Sequence, residues 1–353
     1  MAHALVLAAR GNGCVWPNPS VGCVIVNAGR IVGRGFTQPG GRPHAERVAL
    51  AQAGDAARGA TVYVTLEPCA HHGQTPPCAD ALIAAGVARG VTALTDPDPR
   101  VAGQGHAMLR AAGIAVMEGV LADRARDVTT GFLKRIVQGL PFVTLKLATT
   151  LDGRTATATG ESRWITGGQA RRMVHAMRMT HDAVLIGAGT AVADDPDLTA
   201  RDMGAVHQPV RIVMDSGLRT PLTSRLARTA REIPVWMIHG STASPSAVAA
   251  WEQAGARMIA AGEQPTAPAA LRALADAGLT RILCEGGATL AASLLRAGLV
   301  DQLALFTAGV AFGADGHPAL GPCGLTALQD APRMDLRDLR RVGADTFSLW
   351  VAR

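Results

Sequence analysis

Three side chains able to ligate a metal, His44, Cys69 and Cys78, stand in the segments Pro43-His44-Ala45-Glu46, Glu67-Pro68-Cys69 and Pro76-Pro77-Cys78. A fold that lets them share one ion must bring three separate stretches of chain to a point. One imidazole and two thiolates leave a fourth tetrahedral position for water, as catalytic zinc sites require and closed structural sites do not. Glu46 follows the first ligand by two residues, where a carboxylate can carry a proton between such a water and a leaving amine. Residues i and i+2 do not share a helix face, so His44 is expected just before a helix or in its first turn, with Glu46 converging on the same metal.

This order matches the zinc-deaminase pattern H-x-E followed by P-C-x-x-C, in which the glutamate is not a ligand. Here eight residues separate the cysteines instead of two, so the insertion must loop back. Thr75 is a candidate helix cap with Pro76 at the first helical position, which would put Cys78 at a helix N-terminus where the dipole favours thiolate. His71 and His72 are read as solvated loop residues. A closed structural zinc knot is the competing metal reading, and the open fourth position and Glu46 speak against it. The six cysteines are irregularly spaced, so no disulfide framework is expected, and Cys14, Cys23, Cys284 and Cys323 are read as inert.

A chain of 353 residues exceeds what one core usually organises, so two domains are expected. Strand-like runs at Val21 to Val26, Thr61 to Leu66 and Val91 to Leu94 alternate with helical patterns at Ala45 to Ala53 and Ala79 to Ala85. Leu121, Ala125, Val128, Phe132 and Ile136 recur at helical spacing until Gly139, and Pro141 opens an extended run, Phe142 to Leu147. The boundary therefore falls near residue 140, giving domains 1–140 and 141–353. The second half alternates again, with strands at Ala183 to Ile186, Val210 to Met214, Val235 to Ile238, Ile282 to Cys284 and Leu303 to Phe306. Helical patterns fall at Gln169 to Met179, Ala269 to Ala277 and Thr289 to Ala297, and surface loops are expected over Gly240 to Ser246 and Ala260 to Pro268. Both halves read as α/β.

No apolar run approaches the roughly 20 residues of a membrane span, and Met1 to Arg10 make a poor signal peptide, so a cytoplasmic protein is expected. The net charge of +6 suits anionic ligands, and an aromatic content of 3% disfavours single-strand nucleic-acid binding, leaving small phosphorylated molecules.

The string Asn18 to Val26, then PHAE, then TLEPCAHHGQTPPC from Thr65 to Cys78, closely resembles the bifunctional riboflavin-biosynthesis deaminase/reductase family. Lys146 to Thr155, Glu161 to Thr166, Ala193-Asp194-Asp195-Pro196 and Glu285-Gly286-Gly287 resemble that family's reductase domain, in the family's order. The resemblance implies a cytidine-deaminase-like α/β/α domain followed by a dihydrofolate-reductase-like α/β domain. It implies zinc-dependent deamination of 2,5-diamino-6-ribosylamino-4(3H)-pyrimidinone 5′-phosphate, then reduction of the ribosyl group to ribityl by NADPH. The expected partners are these two molecules, without nucleic acid or membrane, in a homo-oligomer. Asn18 corresponds to the pyrimidine contact. Thr149, Ser162, Trp164, Thr190, Asp194 and Ser216 correspond to cofactor contacts, and Lys146, Arg178, Leu198, Arg201, Glu285, Gly286 and Gly287 to substrate contacts. Lys146, Asp194 and Glu285 stay open as alternatives for assisting proton transfer. Thr37 and Gln74 depart from the family at positions that look like phosphate contacts, and Arg42 is the best-placed cation to compensate.

From the residues alone the second half says less. No G-x-G-x-x-G follows a strand. Gly187-Ala188-Gly189-Thr190 and Glu285-Gly286-Gly287 suit backbone approach to a phosphate, and equally suit tight turns. Lys146, between Leu145 and Leu147, points opposite to its neighbours, toward solvent or toward a bound anion; the resemblance favours the anion. Two rival readings exist. A tRNA-adenosine-type deaminase would leave the second half unexplained, and a zinc-stabilised flavin-precursor binding protein with decayed sites is at odds with the complete set His44, Glu46, Cys69 and Cys78.

Overall fold

The apolar runs of the N-terminal half become one mixed sheet clasped between helices. A computed structural model describes residues 1–71, 76–99, 101–204 and 207–353, and the chain divides into two units, Met1–Leu140 and Pro141–Arg353. The first contains, in order, α1 (Ala2–Ala9), β1 (Gly22–Asn27), β2 (Arg30–Phe36), α2 (Ala45–Ala53), β3 (Thr61–Val64), α3 (Cys78–Ala84), β4 (Arg89–Thr92), α4 (Gln104–Ala111), β5 (Ala115–Met117) and α5 (Ala122–Gln138). The sheet order is β2-β1-β3-β4-β5, antiparallel on the β2 side and parallel from β3 onward. Alternate residues of β1 and β3 point to opposite faces. Cys23, Ile25, Val62 and Val64 pack with Ala45 and Ala49 of α2 and Leu82 of α3, while Val24 and Tyr63 pack with Ala4 and Leu7 of α1. The result is an α/β/α layer. Each fully buried Ile or Leu in it contributes about 1.5–3 kcal/mol.

Four elements of this unit escape the sequence pattern. Helices α1 and α4 and the short strand β5 have no counterpart in it, and β2 is obscured by Gly33 and Gly35. The glycines are there because α2 lies directly on the strand: a Cβ at Gly35 would sit 2.3 Å from the Ala45 carbonyl oxygen. Strand β4 begins two residues before the apolar run expected from Val91, because its register is set by pairing of Arg89 with Thr61.

The second unit contains β6 (Phe142–Thr149), β7 (Arg154–Ala156), α6 (Gly168–Met179), β8 (Ala183–Gly187), α7 (Ala188–Asp194), β9 (Val210–Met214), α8 (Arg225–Arg228), β10 (Val235–His239) and α9 (Pro245–Ala254). It continues with β11 (Arg257–Ala260), α10 (Ala267–Asp276), β12 (Arg281–Cys284), α11 (Ala288–Arg296), β13 (Gln302–Thr307), β14 (His317–Pro318), β15 (Met334–Val342) and β16 (Asp345–Ala352). The main sheet runs β11-β10-β9-β8-β12-β6-β13-β16-β15. It is parallel through β13, and β16 and β15 close it antiparallel. Its central strands are buried along nearly their whole length, as parallel strands covered on both faces must be. Two loop expectations are corrected here. The stretch from Gly240 is loop only to Ser244, which caps α9 with Pro245 at its first position. The stretch from Ala260 likewise ends at Thr266, the cap of α10. The β15–β16 hairpin escapes the sequence pattern because β15 is largely exposed and rich in charge, and a register shift between Leu336 and Asp338 breaks its alternation.

His181 links α6 to β8 and is buried. Its Nδ1–H donates to the Met177 carbonyl at 2.7 Å, and its Nε2 accepts from the Thr144 hydroxyl at 2.9 Å. Burial first, then the Arg281 charge, pushes this imidazole from 6.5 down to about 3. Between those values the unfolded chain binds a proton that the folded chain refuses, so stability falls as pH drops below 6.5. Taking the unit from pH 8 to pH 5 is expected to cost about 2 kcal/mol through this group. Urea midpoints for the protein and His181→Gln across that range test it; equal pH slopes would refute the assignment.

Candidate active sites

His44 is the N-cap residue of α2, which puts Glu46 in the first helical turn, and Cys78 opens α3. Two helix N-termini therefore converge, and Cys69 reaches them from the loop beyond β3. The Cys78 amide donates to Cys69 Sγ at 3.2 Å and the Ala79 amide to the Cys69 carbonyl at 3.2 Å. Arg47 of α2 donates to the Pro76 carbonyl at 3.2 Å, tying the second ligand loop to the first helix. His44 Nδ1 lies 3.6 Å from Cys69 Sγ and 3.4 Å from Cys78 Sγ, and the three ligand atoms all fall within 4.8 Å of one another.

These separations test whether a zinc ion fits. Tetrahedral bonds of about 2.1 Å to nitrogen and about 2.3 Å to sulfur set nitrogen–sulfur edges of about 3.6 Å, as found. The charges agree. The Cys69 thiol is held at about 4, by the Cys78 side chain first and His44 after it, against its own burial. The Cys78 thiol is driven up by Cys69 and by burial. Two sulfurs this close do not both ionise unless a cation joins them, and a divalent ion removes that penalty. Glu46 is only 4% exposed. Its carboxyl is pushed up to about 7, by burial first and the Cys69 charge second.

In the second unit, Arg178 of α6 grips Glu285 with two bonds, Nε to Oε1 at 2.6 Å and Nη2 to Oε2 at 2.8 Å. Burial alone would raise Glu285, but Arg178 outweighs it and Lys146 adds to the effect, holding the carboxyl below its ordinary range. Lys146 of β6 is lowered by burial, with Glu285 opposing. Thr149 ends β6, Glu285 follows β12, Ala188–Thr190 follow β8 and Ser216 follows β9. All stand at the carboxyl ends of adjacent parallel strands, where open α/β sheets take their ligands. Thr190 meets Gly287, whose Cβ would lie 3.0 Å from the threonine hydroxyl, so α7 and the Gly286-Gly287 turn face one another.

Other anticipated residues fall as follows. Asn18 is half-buried with Gly41 directly against its side chain. Trp164 is 69% exposed with the Arg171 guanidinium 4.6 Å from its ring, and Ser162 lies half-buried in the preceding loop. Arg201 is held by Asp197 at 3.2 Å. Asp194 is exposed at the end of α7, its carbonyl accepting from Arg163 at 2.7 Å.

Two expectations change, while Thr37, the departure from the family's pattern, is buried with its hydroxyl donating to the Pro19 carbonyl at 3.1 Å and accepting the Val21 amide at 3.0 Å, a backbone brace. Leu198 has its side chain in the core, so it can offer a substrate only its backbone. Helix α3 starts at Cys78, with Pro77 at the N-cap position, and not at Pro76, since a residue before proline is steered away from helical backbone. Thr75, Gln74 and His72 lie outside the described residues. His71 is exposed, and Arg42 is half-buried with its charge opposing protonation of His44. His175, one turn before Arg178 and sharing the Thr199 carbonyl with it, escapes the sequence reading; its helical spacing from Arg178 is the available signal.

Residues 1–94 match the cytidine and deoxycytidylate deaminase zinc-binding region, and residues 141–348 match the RibD C-terminal domain. With the geometry above, these matches define a two-domain enzyme, a zinc-dependent deaminase joined to an NADPH-dependent reductase of dihydrofolate-reductase-like fold. The riboflavin biosynthesis protein RibD of Escherichia coli is 43% identical, over 98% of this chain and 96% of its own. That of Mycobacterium tuberculosis is 41% identical, over 100% and 96%. Acinetobacter baumannii RibD superposes with a TM-score of 0.90 at 37% identity, over 100% of this chain and 97% of its own. A deaminase/reductase from Thermotoga maritima gives 0.87 at 33%, over 100% and 97%. The chain belongs to the RibD family, the bifunctional deaminase/reductases of riboflavin biosynthesis.

Proposed function

We propose that residues 1–140 deaminate 2,5-diamino-6-ribosylamino-4(3H)-pyrimidinone 5′-phosphate and that residues 141–353 then reduce its ribosyl group to ribityl. The observation that carries the reading is the His44, Cys69, Cys78 triangle with buried Glu46 beside it. Zinc, when bound by these three side chains, makes a water acidic near neutral pH. Glu46 takes the proton of the attacking water and returns it to the amine, which leaves as ammonia. Asn18 holds the pyrimidine.

In the second unit NADPH, when bound, would supply the hydride for reduction of the ribosyl group. Thr149, Ser162, Trp164, Thr190, Asp194 and Ser216 are assigned to the cofactor. Arg178, Arg201, Glu285, Gly286, Gly287 and the backbone of Leu198 are assigned to the substrate. Glu285 is locked as a carboxylate by Arg178 and is a poor acid, and Asp194 is exposed. Lys146, with its ammonium destabilised by burial, is the readiest proton donor. The exposed Leu336 and Leu339 of β15 suit a homo-oligomer, and free phosphorylated metabolites as substrates suit the cytoplasm. Among the described residues no helix is long and apolar enough to cross a membrane.

The test is to give the zinc-loaded protein the diaminopyrimidinone and NADPH and to follow ammonia and NADPH absorbance together. Ammonia is expected to appear first, with NADPH oxidised only as deaminated product accumulates. Zinc-loaded protein that releases no ammonia would overturn the reading.

A further inference from the structure

Glu67 takes no part in the chemistry above, yet its carboxylate is completely buried. Three backbone amides from later in the chain hold it. Asp96 N–H at 3.1 Å and Gly103 N–H at 3.0 Å donate to Oε2, and His106 N–H at 3.2 Å donates to Oε1. Gly103 is the N-cap residue of α4 and has no side chain to accept the open amides of the first turn, of which His106 is the third. Glu67 therefore caps α4 from a different segment, with its charge at the positive end of the helix.

The same contact fixes the chain next to the metal ligand. Gly105 of α4 rests on the Pro68 carbonyl, where a Cβ would lie only 2.0 Å from the oxygen. The Glu67 amide donates to the Leu94 carbonyl at 2.8 Å. Residues 67 and 68 are thus held on both sides immediately before Cys69, and Cys69 in turn receives the amides of Cys78 and Ala79. We propose that Glu67 is a positioning residue for the zinc centre: by capping α4 in trans it sets where Cys69 Sγ stands against His44 and Cys78. The inference rests on the ligand assignment above, which Cys69→Ser tests separately.

Glu67→Gln keeps the size of the side chain but turns an acceptor into an NH2 group facing amide donors. In the full-length, zinc-loaded protein, release of zinc to a chromogenic chelator is expected to speed up about 10- to 100-fold, the usual effect of losing a group that supports a ligand. With Co2+ in place of zinc, the visible bands should shift. Leu109→Ala, in the buried face of the same helix, is the control for a purely structural effect: it should lower the melting temperature but leave zinc release within about twofold and the Co2+ bands unmoved. Zinc release by Glu67→Gln at the natural rate overturns the proposal, as does equal acceleration by Leu109→Ala. If Glu67→Gln does not fold, Glu67→Asp, one methylene shorter with its charge kept, is read on the same scale, and unchanged release overturns it. Zinc retained by Cys69→Ser would overturn the ligand assignment and this inference with it; zinc lost there but kept by Glu67→Gln overturns this inference alone.

Discussion

Glu46→Gln is expected to retain zinc while deamination falls about 100-fold or more, the usual size of a lost general acid–base group. The reasoning is geometric first. The three ligand atoms already form a closed triangle without Glu46, so removing its charge takes no bond from the metal. The carboxyl is buried, and burial pushes it up toward the neutral range in which a proton shuttle works. Glutamine has the same shape and no proton to exchange. Cys69→Ser and Cys78→Ser should behave in the opposite way, losing zinc and with it deamination. Reduction of already deaminated substrate should be untouched in all three, because the residues assigned to it belong to the second unit. Metal content, ammonia release and NADPH oxidation measured on each variant decide the matter. Loss of zinc from Glu46→Gln would make it a ligand and end its assignment as proton carrier.

The zinc set is legible in the linear sequence because its chemistry is carried by rare residue types in a fixed order. His44 and Glu46 sit two apart at a helix start that the periodicity of Ala45 to Ala53 already marks. What linear sequence does not carry is support from a distance. Glu67 is visible as part of a motif, but its three donors lie 29 to 39 residues further on and are backbone amides, which leave no side-chain signature. Thr37 is legible as a departure from the family's phosphate-contact position, but not what it does instead, which is to turn its hydroxyl inward and brace Pro19 and Val21. The residues assigned to reduction are legible only through resemblance, since they come largely from the ends of four strands that are adjacent in the sheet and far apart in the chain. Elements stay hidden where glycine or charge masks a strand, in β2 and β15, and stand out where buried parallel strands leave unbroken apolar runs.

Arg178→Met is expected to destabilise the second unit by about 3–5 kcal/mol, the cost of leaving a buried carboxylate without its partner. Arg178 and Glu285 have side chains only 12% and 8% exposed, and the pair is bidentate, so neither charge can turn to water when the other is removed. Lys146 remains near Glu285 and offsets part of the loss, which sets the lower end of the range. The third Arg178 bond, Nη1 to the Thr199 carbonyl at 2.7 Å, is lost as well, so the segment carrying Arg201 should loosen. Replacing both partners, Arg178→Met with Glu285→Met, removes the carboxylate and leaves only the half-buried Lys146, whose amine burial already inclines to give up its proton, so most of the stability is expected to return. Reduction should be lost in both variants, because the substrate contacts assigned to the pair are gone in each. Four of the five tryptophans lie beyond residue 140, so fluorescence during urea unfolding reports chiefly on this unit. If the double variant is as unstable as the single one, buried charge is not the cause of the loss, and the pair acts through packing alone.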